Sequence, residues 1–357
     1  MSDMIEKLQN VLDEATTSGE ECGCQLTIYR HGELLCDLVS GWTDQTKTRK
    51  VDINTLFPVF SVGKGVLSIL YHLCTEEGII NSSDPVAKYW PEYACNGKED
   101  TRIWHFLSHR SGSHTFPEGF QVYPDGGDWD KACNALAQAA PAMEIGGIHR
   151  YHGYTFGLLV GKVLENAART PIRELLRKKL LDPLKIDTFF YGIPEELLDN
   201  LALITPGERA DGTIYQDDRV RMNEKVNICG LNPSSHGASN AHALAKIYAS
   251  TFGSGVDGVR FLKDETLKNA LTLCRSENDP AKAEQWDRFG LGLALIGPEE
   301  PWNRTYGHGG ACGSEGFCDR ETGYAVGFTK NKLTPKHPNH PLRNRISEIL
   351  GIPKRIW

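Results

Sequence analysis

Strand patterns lie near both ends of this chain, and a helix pattern lies outside each of them. The run QLTIYRHGELLCDLVSGW holds two β-rich segments on either side of His31-Gly32, which is typical of a β-hairpin. The runs RFGLGLALIG, RTYGHGG and GYAVGFTKN near the other end are further short strand candidates. Apolar residues at helical spacing in 4–16 and in NRISEILGI predict a helix before and after these strands. We therefore predict one antiparallel sheet, built from both chain ends and flanked by terminal helices.

Between these ends, the chain carries mainly helical patterns, separated by loops rich in Gly, Pro, Asn and Asp. We predict an α+β, sandwich-like fold in which a mostly helical lobe of about residues 61–284 is inserted into a sheet lobe of about residues 1–60 and 285–357. No repeat or low-complexity linker divides the chain, so both lobes are expected to form one domain over residues 1–357. Binding sites favour the crevice between such lobes. The helical patterns cover residues 61–77, 102–109, 154–168, 171–181 and 240–252.

Composition limits the classes of function. The net charge of −7 offers no bulk attraction for nucleic acid or an anionic membrane, and no run approaches the ~20 apolar residues of a membrane span. The N-terminus has no basic segment followed by an apolar run, which argues against a secretory signal and favours a cytoplasmic location. The ten cysteines lack paired C-x-x-C spacing, so we expect reduced thiols. Cys22 with Cys24 could form half of a metal site, but no second pair supports it, and we expect neither a metal nor a cofactor.

The run FPVFSVGKGVLSILYH, residues 57–72, places a serine and a lysine on one face of a predicted helix. Residues three apart on a helix are neighbours, so the Lys64 amine can reach the Ser61 hydroxyl. Ser61 lies at the helix start, where free backbone N–H groups stabilise negative charge. A lysine in a dry site with a neighbouring cation can have a lowered pKa and can serve as a base for a serine nucleophile. The pattern is short, however, and taken alone it fits a capping serine and a solvated lysine better.

Four further stretches supply context: DPVAKYWPEYACNGKEDTRIWHFLSHRSG, IHRYHGYTFGLLVGKVLE, NPSSHGASNAHALAKIYA and YGHGGACGSEGFCD. Their order and spacing after the Ser-Lys helix resemble the serine β-lactamase-like superfamily over about residues 24–330. Within it, the chain is most similar to the branch of class C β-lactamases, D-Ala-D-Ala carboxypeptidases and family VIII-type esterases. The runs RYHGYTFGLLVG and HGGACGSEGF are most similar to the esterases. The resemblance implies the β-lactamase/transpeptidase-like fold.

The resemblance also implies catalytic roles. Ser61 would be the acylated nucleophile, and Lys64 its base or proton relay. Tyr151 matches the tyrosine of the family's Y-x-N element and would pass a proton to the leaving group and help to activate water. The run His308-Gly309-Gly310 matches the family's K-T-G strand, which places His308 among the catalytic residues. The backbone N–H groups of Ser61 and Ala311 would form the oxyanion hole. In isolation, the tyrosine reads as a half-buried aromatic at a helix entry, and the His-Gly-Gly run as a β-bulge or turn.

Departures from the family pattern suggest which substrates this pocket accepts. Gly153 stands where the family commonly has an asparagine whose carboxamide binds the amide side chain of β-lactams and peptides. His308 replaces the lysine of K-T-G, and a histidine with a pKa near ~6.5 is mostly neutral at pH 7. Gly309 replaces its threonine or serine. A pocket of this kind should hold the carboxylates of penicillins and peptides poorly, so neutral esters suit it better.

Other residues are weaker pocket candidates. Arg110 replaces a common threonine and could bind an anion or make a surface contact. His152 lies beside Tyr151, and His149 with His152 and His308 could suggest a metal, which we disfavour because adjacent residues of an extended segment point to opposite sides. Gly237, with His236, lies in a family loop that borders the active site. The loop 113–147 is expected to shape substrate choice. Cys312 and Cys318, at even spacing, could share a face beside the pocket, although structural thiols are favoured.

We therefore predict a serine hydrolase that forms an acyl-enzyme on Ser61 with small neutral esters and cleaves β-lactams weakly. A β-lactamase or D-amino-acid carboxypeptidase is the enzymatic alternative. A scaffold or sensor that kept the fold without turnover is the alternative from another class. An α/β-hydrolase is excluded because the chain contains no G-x-S-x-G run.

Overall fold

A six-stranded antiparallel sheet, ordered β2-β1-β11-β10-β9-β8, organises the structure, with smaller sheets β3-β7-β4 and β5-β6 beside it. The computed structural model describes residues 2–209, 211–274, 279, 288–296, 302–334 and 341–354. The strands are β1 (Gly23–Arg30), β2 (Glu33–Gly41), β3 (Phe57–Pro58), β4 (Phe189–Tyr191), β5 (Gly207–Glu208), β6 (Ile214–Tyr215), β7 (Gly237–Ser239), β8 (Ala294–Leu295), β9 (Thr305–Gly309), β10 (Glu315–Asp319) and β11 (Tyr324–Lys330).

Helices occupy both chain ends and most of the middle. They are α1 (Ser2–Thr17), α2 (Val62–Glu76), α3 (Ile103–Leu107), α4 (Val122–Asp125), α5 (Trp129–Gln138), α6 (Phe156–Ala168), α7 (Ile172–Leu176), α8 (Lys225–Ile228), α9 (Ala241–Ala249), α10 (Asp264–Ala270) and α11 (Pro341–Leu350). Short 3-10 helices cover Val86–Lys88, Pro91–Tyr93, Glu195–Asn200, Asp218–Asn223 and Trp302–Arg304, and a π-helical turn at Arg177–Leu181 continues α7. Within these ranges, no helix combines the length and apolar character needed to cross a membrane.

The large sheet joins the two ends of the chain, as predicted. Strand β1 pairs with β11 from Cys24↔Lys330 to Arg30↔Tyr324 and with β2 on its other side. The β1–β2 turn has positive φ at His31 and Gly32, the conformation that closes a two-residue hairpin. Helices α1 and α11 pack on this sheet through one apolar cluster that includes Leu8, Leu12, Ile346 and Leu350. The predicted α+β fold with terminal helices is confirmed.

Strand β10, which the sequence analysis did not single out, lies between β9 and β11. All five of its residues are buried, so its sequence EGFCD lacks the alternation that marks a half-exposed strand. The predicted strand at RFGLGLALIG is shorter than expected, because only Ala294–Leu295 pairs with β9.

Helix α9 packs directly on the large sheet, although its sequence lies in the segment predicted as the helical lobe. Two glycines make this contact close, because a side chain at Gly327 would overlap the backbone carbonyl of Ala241, and one at Gly316 would lie 2.5 Å from the ring of Tyr248. The boundaries of the two lobes at about residues 60 and 285 stay a prediction.

Replacing Gly327 tests the packing of α9 on the sheet. We expect Gly327→Ala to lower the free energy of unfolding by about 2–3 kcal/mol, because backbone atoms on both sides must move apart to admit the methyl group. Urea denaturation measures the change. Gly153→Ala is the matched control, since a Cβ there would meet its nearest neighbour, Tyr151, at 4.0 Å. Equal stability of the two variants would contradict the packing argument.

Candidate active site

Ser61 is delivered to the start of α2 by a sharp change of chain direction. Strand β3 pairs with β7, and the Val59 N–H donates to the Gly237 carbonyl at 2.8 Å. Phe60 then takes a left-handed conformation, with φ of 47°, which side chains normally avoid. Ser61 immediately precedes the first helical residue and stays partly exposed. The serine hydroxyl therefore lies at a strained corner that solvent and small molecules can reach.

The Lys64 amine contacts three oxygen atoms from three parts of the chain. Its Nζ lies 2.8 Å from Ser61 Oγ, 2.6 Å from the Gly153 carbonyl and 2.9 Å from the Ser234 carbonyl. A neutral amine has two N–H donors and one lone pair. If the N–H groups donate to the two carbonyls, the lone pair is directed to the Ser61 hydroxyl and can accept its proton.

Burial favours this neutral form of Lys64. The residue has no exposed surface, and desolvation lowers its pKa well below the usual value for lysine. The sequence led us to expect that burial and a neighbouring cation would together lower the pKa of Lys64. In the structure, burial alone lowers it. The result is an amine that can act as a base at pH values well below the ordinary pKa of lysine.

Tyr151 completes the predicted group of three side chains. Its ring centroid lies 5.1 Å from Lys64 Nζ, and the side chain is partly exposed, as Ser61 is. The ring packs against His109 at 4.9 Å and lies 6.1 Å from the ring of His308. These contacts bring Ser61, Lys64 and Tyr151 together at one place, although ninety residues separate the tyrosine from the serine.

His109 is a residue of the site that the sequence analysis missed. It is fully buried, has φ of 60°, and its Nδ1 accepts a hydrogen bond from the His152 backbone N–H at 3.1 Å. An Nδ1 acceptor implies a neutral ring with its proton on Nε2. Burial, followed by the neighbouring His152 and His149, lowers the pKa of His109 well below its usual value. The run LSHRSG gave no sign of this ring, because its contact with Tyr151 arises only in the folded chain.

The two backbone N–H groups expected to form the oxyanion hole are held in place by neighbouring hydrogen bonds. Gly63 N–H donates to the Phe60 carbonyl at 3.1 Å, and Gly313 N–H donates to the Gly310 carbonyl at 2.8 Å. Because the N–H and C=O of a trans peptide point in opposite directions, these bonds fix the N–H groups of Ser61 and Ala311. Among the described residues, neither N–H has a hydrogen-bond acceptor. Both are available to a substrate oxygen.

Gly310 brings the two halves of this arrangement together. A side chain at Gly310 would overlap the Val59 carbonyl, so only glycine lets the β9–β10 turn approach the segment before Ser61 this closely. Among the described residues, β8 pairs with β9 at Tyr306 and Gly307, so Gly309 and the residues after it extend beyond that pairing. The end of β9 that follows this pairing lies beside the segment that carries the nucleophile.

His308 is more enclosed than the sequence suggested. It is 1% exposed, its Nδ1 lies 2.8 Å from the Gly309 carbonyl, and it packs over α2 where Gly65 leaves room. A side chain at Gly65 would also overlap the Tyr248 hydroxyl. The absence of a side chain at Gly65 therefore makes the space that His308 and Tyr248 occupy.

Three predicted pocket residues are buried supports and do not line the open site. His152 has no exposed surface and contacts Ser111 Oγ at 2.7 Å and the Arg150 carbonyl at 2.6 Å. Gly237 is buried in β7, where it accepts the bond from Val59 described above. His236, from the same loop, is also fully buried.

Arg110 is neither a surface contact nor an anion site, contrary to both readings of the sequence. Its guanidinium forms a buried ion pair with Asp279 and donates to the carbonyls of Gly147 at 2.6 Å and Cys274 at 3.1 Å. The side chains of Arg110 and Asp279 are 2% and 7% exposed. Because the guanidinium is enclosed and its charge is balanced, it holds the segments of Gly147, Cys274 and Asp279 together. It has little remaining capacity to bind a ligand.

The two cysteines beside the predicted oxyanion strand do not share a face. Cys312 packs in an apolar cluster with Phe60 and Tyr123, whereas Cys318 belongs to the main core and donates to the Tyr248 carbonyl at 3.3 Å. Burial raises the pKa of both thiols to about 12. Tyr123 comes from the segment 113–147, so this segment contributes to the same apolar cluster as Phe60, the residue before the nucleophile.

Comparison with known proteins adds to this geometry. A family model described as Beta-lactamase matches residues 8–350 of the chain. The chain is 28% identical over 338 residues to the Esterase/beta-lactamase LipL of Mycobacterium tuberculosis, which covers 87% of this chain and 77% of that protein. It is 26% identical over 321 residues to the Esterase EstB of Burkholderia gladioli, covering 83% of this chain and 77% of that protein.

Solved structures support the same fold. A family VIII carboxylesterase superposes with a TM-score of 0.86 over 98% of this chain and 97% of that chain, at 23% identity. A penicillin-binding protein homologue from Caulobacter crescentus superposes with a TM-score of 0.76 over 93% of this chain and 92% of that chain, at 25% identity.

Labelling with a fluorophosphonate probe tests the Ser61–Lys64 pair. We expect the probe to modify Ser61, and its rate to rise with pH at values well below 10.5, because a base acts only when deprotonated and burial lowers the pKa of Lys64 from 10.5. Lys64→Ala should lower the labelling rate by roughly 10²–10⁴-fold and remove this rise. Mass spectrometry of the intact protein measures the rate.

Lys98 is the matched control for this measurement. It is also fully buried, and its amine donates to the Ala137 carbonyl at 3.1 Å in a different part of the chain. Lys98→Met should leave the pH dependence of labelling unchanged. A rise that persists in Lys64→Ala would show that another group is the base.

Proposed function

This chain belongs to the beta-lactamase family and is a serine hydrolase, and we propose that it acts as an esterase that forms an acyl-enzyme on Ser61 with small neutral esters. The observation that carries the proposal is the contact of 2.8 Å between the partly exposed Ser61 hydroxyl and the buried, neutral-favouring Lys64 amine. A serine hydroxyl becomes a nucleophile only when a base of this kind accepts its proton.

In the acylation step, Lys64 accepts the Ser61 proton while Oγ bonds to the ester carbonyl carbon. The negative charge that develops on the carbonyl oxygen is held by the N–H groups of Ser61 and Ala311, a type of contact worth about 3 kcal/mol when one donor is removed. The tetrahedral intermediate then breaks the bond to the alcohol oxygen. That oxygen takes up a proton, which Tyr151 passes on from Lys64, and leaves as the free alcohol.

Water completes the cycle. A water molecule gives one proton to the Lys64–Tyr151 pair and bonds through its oxygen to the acyl carbon, and the same two N–H groups hold the new oxyanion. When the intermediate collapses, the bond to Ser61 breaks, and the proton returns to its Oγ. The carboxylic acid leaves, and the serine is restored.

The residues that depart from the family pattern favour esters over β-lactams. Gly153 presents its backbone carbonyl to Lys64 and has no carboxamide to offer a substrate. His308, at the lysine position of K-T-G, is 1% exposed and does not place a permanent cation in the open site. The names of two relatives, an esterase/beta-lactamase and an esterase, support the same choice. The first of these names also favours weak β-lactam cleavage as the second candidate activity.

The retained geometry of Ser61, Lys64 and Tyr151 argues against a scaffold without turnover. We keep the cytoplasm as the proposed location, supported by ten cysteines that are all free thiols and in part deeply buried. Such thiols suit a reducing compartment.

Turnover of two chromogenic substrates tests the proposed function. We expect hydrolysis of 4-nitrophenyl butyrate, with kcat/KM well above that for nitrocefin, and we expect Ser61→Ala to reduce both to the background rate because no nucleophile remains. Absorbance at the product wavelengths measures both reactions. Nitrocefin turnover above ester turnover would support the β-lactamase alternative. A folded protein that hydrolyses neither substrate and resists the fluorophosphonate probe would support the scaffold alternative.

Restoring a carboxamide at residue 153 tests why lactams are disfavoured. The space around Gly153 is open to a Cβ, so Gly153→Asn should fold normally. We expect the ratio of nitrocefin to butyrate kcat/KM to rise about tenfold, the effect of one good hydrogen bond in a water-poor site. Gly153→Ala adds the same Cβ without the amide and is the control. Equal ratios in the two variants would show that the missing carboxamide does not set this preference.

A further inference from the structure

An arginine from a distant segment contacts the proposed oxyanion turn. Arg219 lies in the 3-10 helix Asp218–Asn223, and its Nη1 donates a hydrogen bond to the backbone carbonyl of Ala311. The side chain is 15% exposed. Ala311 is also the residue whose N–H is available to the reacting oxygen. One residue therefore offers the substrate an N–H, while its C=O is already occupied by a cation.

The guanidinium of Arg219 is fixed by its other contacts. Nε donates to Asp217 at 2.8 Å, and Nη2 donates to Asp217 at 2.6 Å and to the Tyr215 hydroxyl at 2.8 Å. This two-point pairing with a carboxylate is the strongest geometry that arginine forms. It also balances the charge, so Arg219 is not a free cation for a substrate carboxylate. The remaining nitrogen of the guanidinium, Nη1, donates to the Ala311 carbonyl.

The occupied carbonyl matters because of how extended chains pair. In antiparallel pairing, a residue that accepts a hydrogen bond through its C=O returns its own N–H to the carbonyl of the same partner residue. An acyl group derived from an amino acid, a peptide or a penicillin carries an amide N–H on the carbon next to its reacting carbonyl. When such a carbonyl binds the Ala311 N–H, its amide N–H needs the Ala311 C=O.

We propose that Arg219 is a specificity-determining residue, which engages the Ala311 carbonyl and so favours acyl groups that have no amide N–H beside the reacting carbonyl. An α-amido acyl group meets an oxygen that already accepts a charge-assisted hydrogen bond from Arg219, so its own N–H gains less from the lone pair that remains. A simple aliphatic acyl group has no N–H beside its reacting carbonyl, so it loses no hydrogen bond. The inference deepens the proposed function and rests on it, because it assumes acyl transfer to Ser61.

Two esters that differ in one group test this selection. The 4-nitrophenyl esters of N-acetylglycine and of O-acetylglycolic acid have nearly the same shape, but the second carries oxygen where the first carries N–H. The measured quantity is the ratio of their kcat/KM values, amido over oxy, divided by the ratio of their hydroxide-catalysed rates. A general loss of activity cancels in this ratio, so a merely structural role of Arg219 does not move it.

For the unmodified protein we expect a corrected ratio near one. Arg219→Ala and Arg219→Met remove the donor to the Ala311 carbonyl, and each should raise the ratio about three- to tenfold, the range of one hydrogen bond to a neutral donor. Arg221→Ala is the matched control from the same 3-10 helix. Arg221 pairs with Glu224 at 3.3 Å and stacks over Tyr123, and the ratio should stay unchanged in this variant.

The outcomes separate this inference from the proposed function. If the unmodified protein fails to hydrolyse 4-nitrophenyl butyrate, the proposed function is wrong and the inference falls with it. If butyrate is hydrolysed but the corrected ratio of the unmodified protein is already tenfold or more, the inference alone is overturned. The same holds if folded Arg219→Met leaves the ratio unchanged. Should Arg219→Ala not fold, the unmodified protein and Arg219→Met still decide the matter.

Discussion

The buried amine of Lys64 is the contact on which the rest of the site depends. It joins the start of α2 to the segment before α6 through Gly153 and to the loop before β7 through Ser234. An ionised amine would be costly to hold in this place, whereas a neutral amine with its donors satisfied is tolerated. The same burial that disfavours the charge therefore produces the base that the proposed chemistry requires.

Glycines at the helix starts make the contact with Ser234 possible. A side chain at Gly63 in α2 would overlap the Pro233 carbonyl, and one at Gly157 in α6 would overlap the backbone nitrogen of Ser234. The Gly157 N–H also donates to the Ser234 hydroxyl. The loop is thus held between two helices at a separation that no other residue type permits, and its carbonyl reaches the amine. Glycine in these helices weakens local propensity, but it brings three separate segments within hydrogen-bond distance.

The sequence predicted the elements that local patterns determine. It did not predict the contacts that form only between distant parts of the folded chain. The hairpin at His31-Gly32 and the helix that begins after Ser61 follow from turn chemistry and apolar spacing, and both are present. The burial of Arg110 against Asp279 could not be inferred, because the two residues are 169 positions apart and neither lies in a recognisable pattern. The residues that match a family motif indicated which segments meet at the site. They did not indicate that other residues, such as His109 and Arg219, would contact those segments.

The charges around the site point to one class of substrate. Burial suppresses the charge of Lys64, and the guanidinium groups of Arg110 and Arg219 are each matched by a carboxylate. The histidine at the position of the family's cationic lysine is enclosed. Of Lys64, Arg110, Arg219 and His308, none therefore presents an unbalanced positive charge to the open site. An anionic substrate would gain no matching cation from these four side chains when it loses its hydration, which is unfavourable.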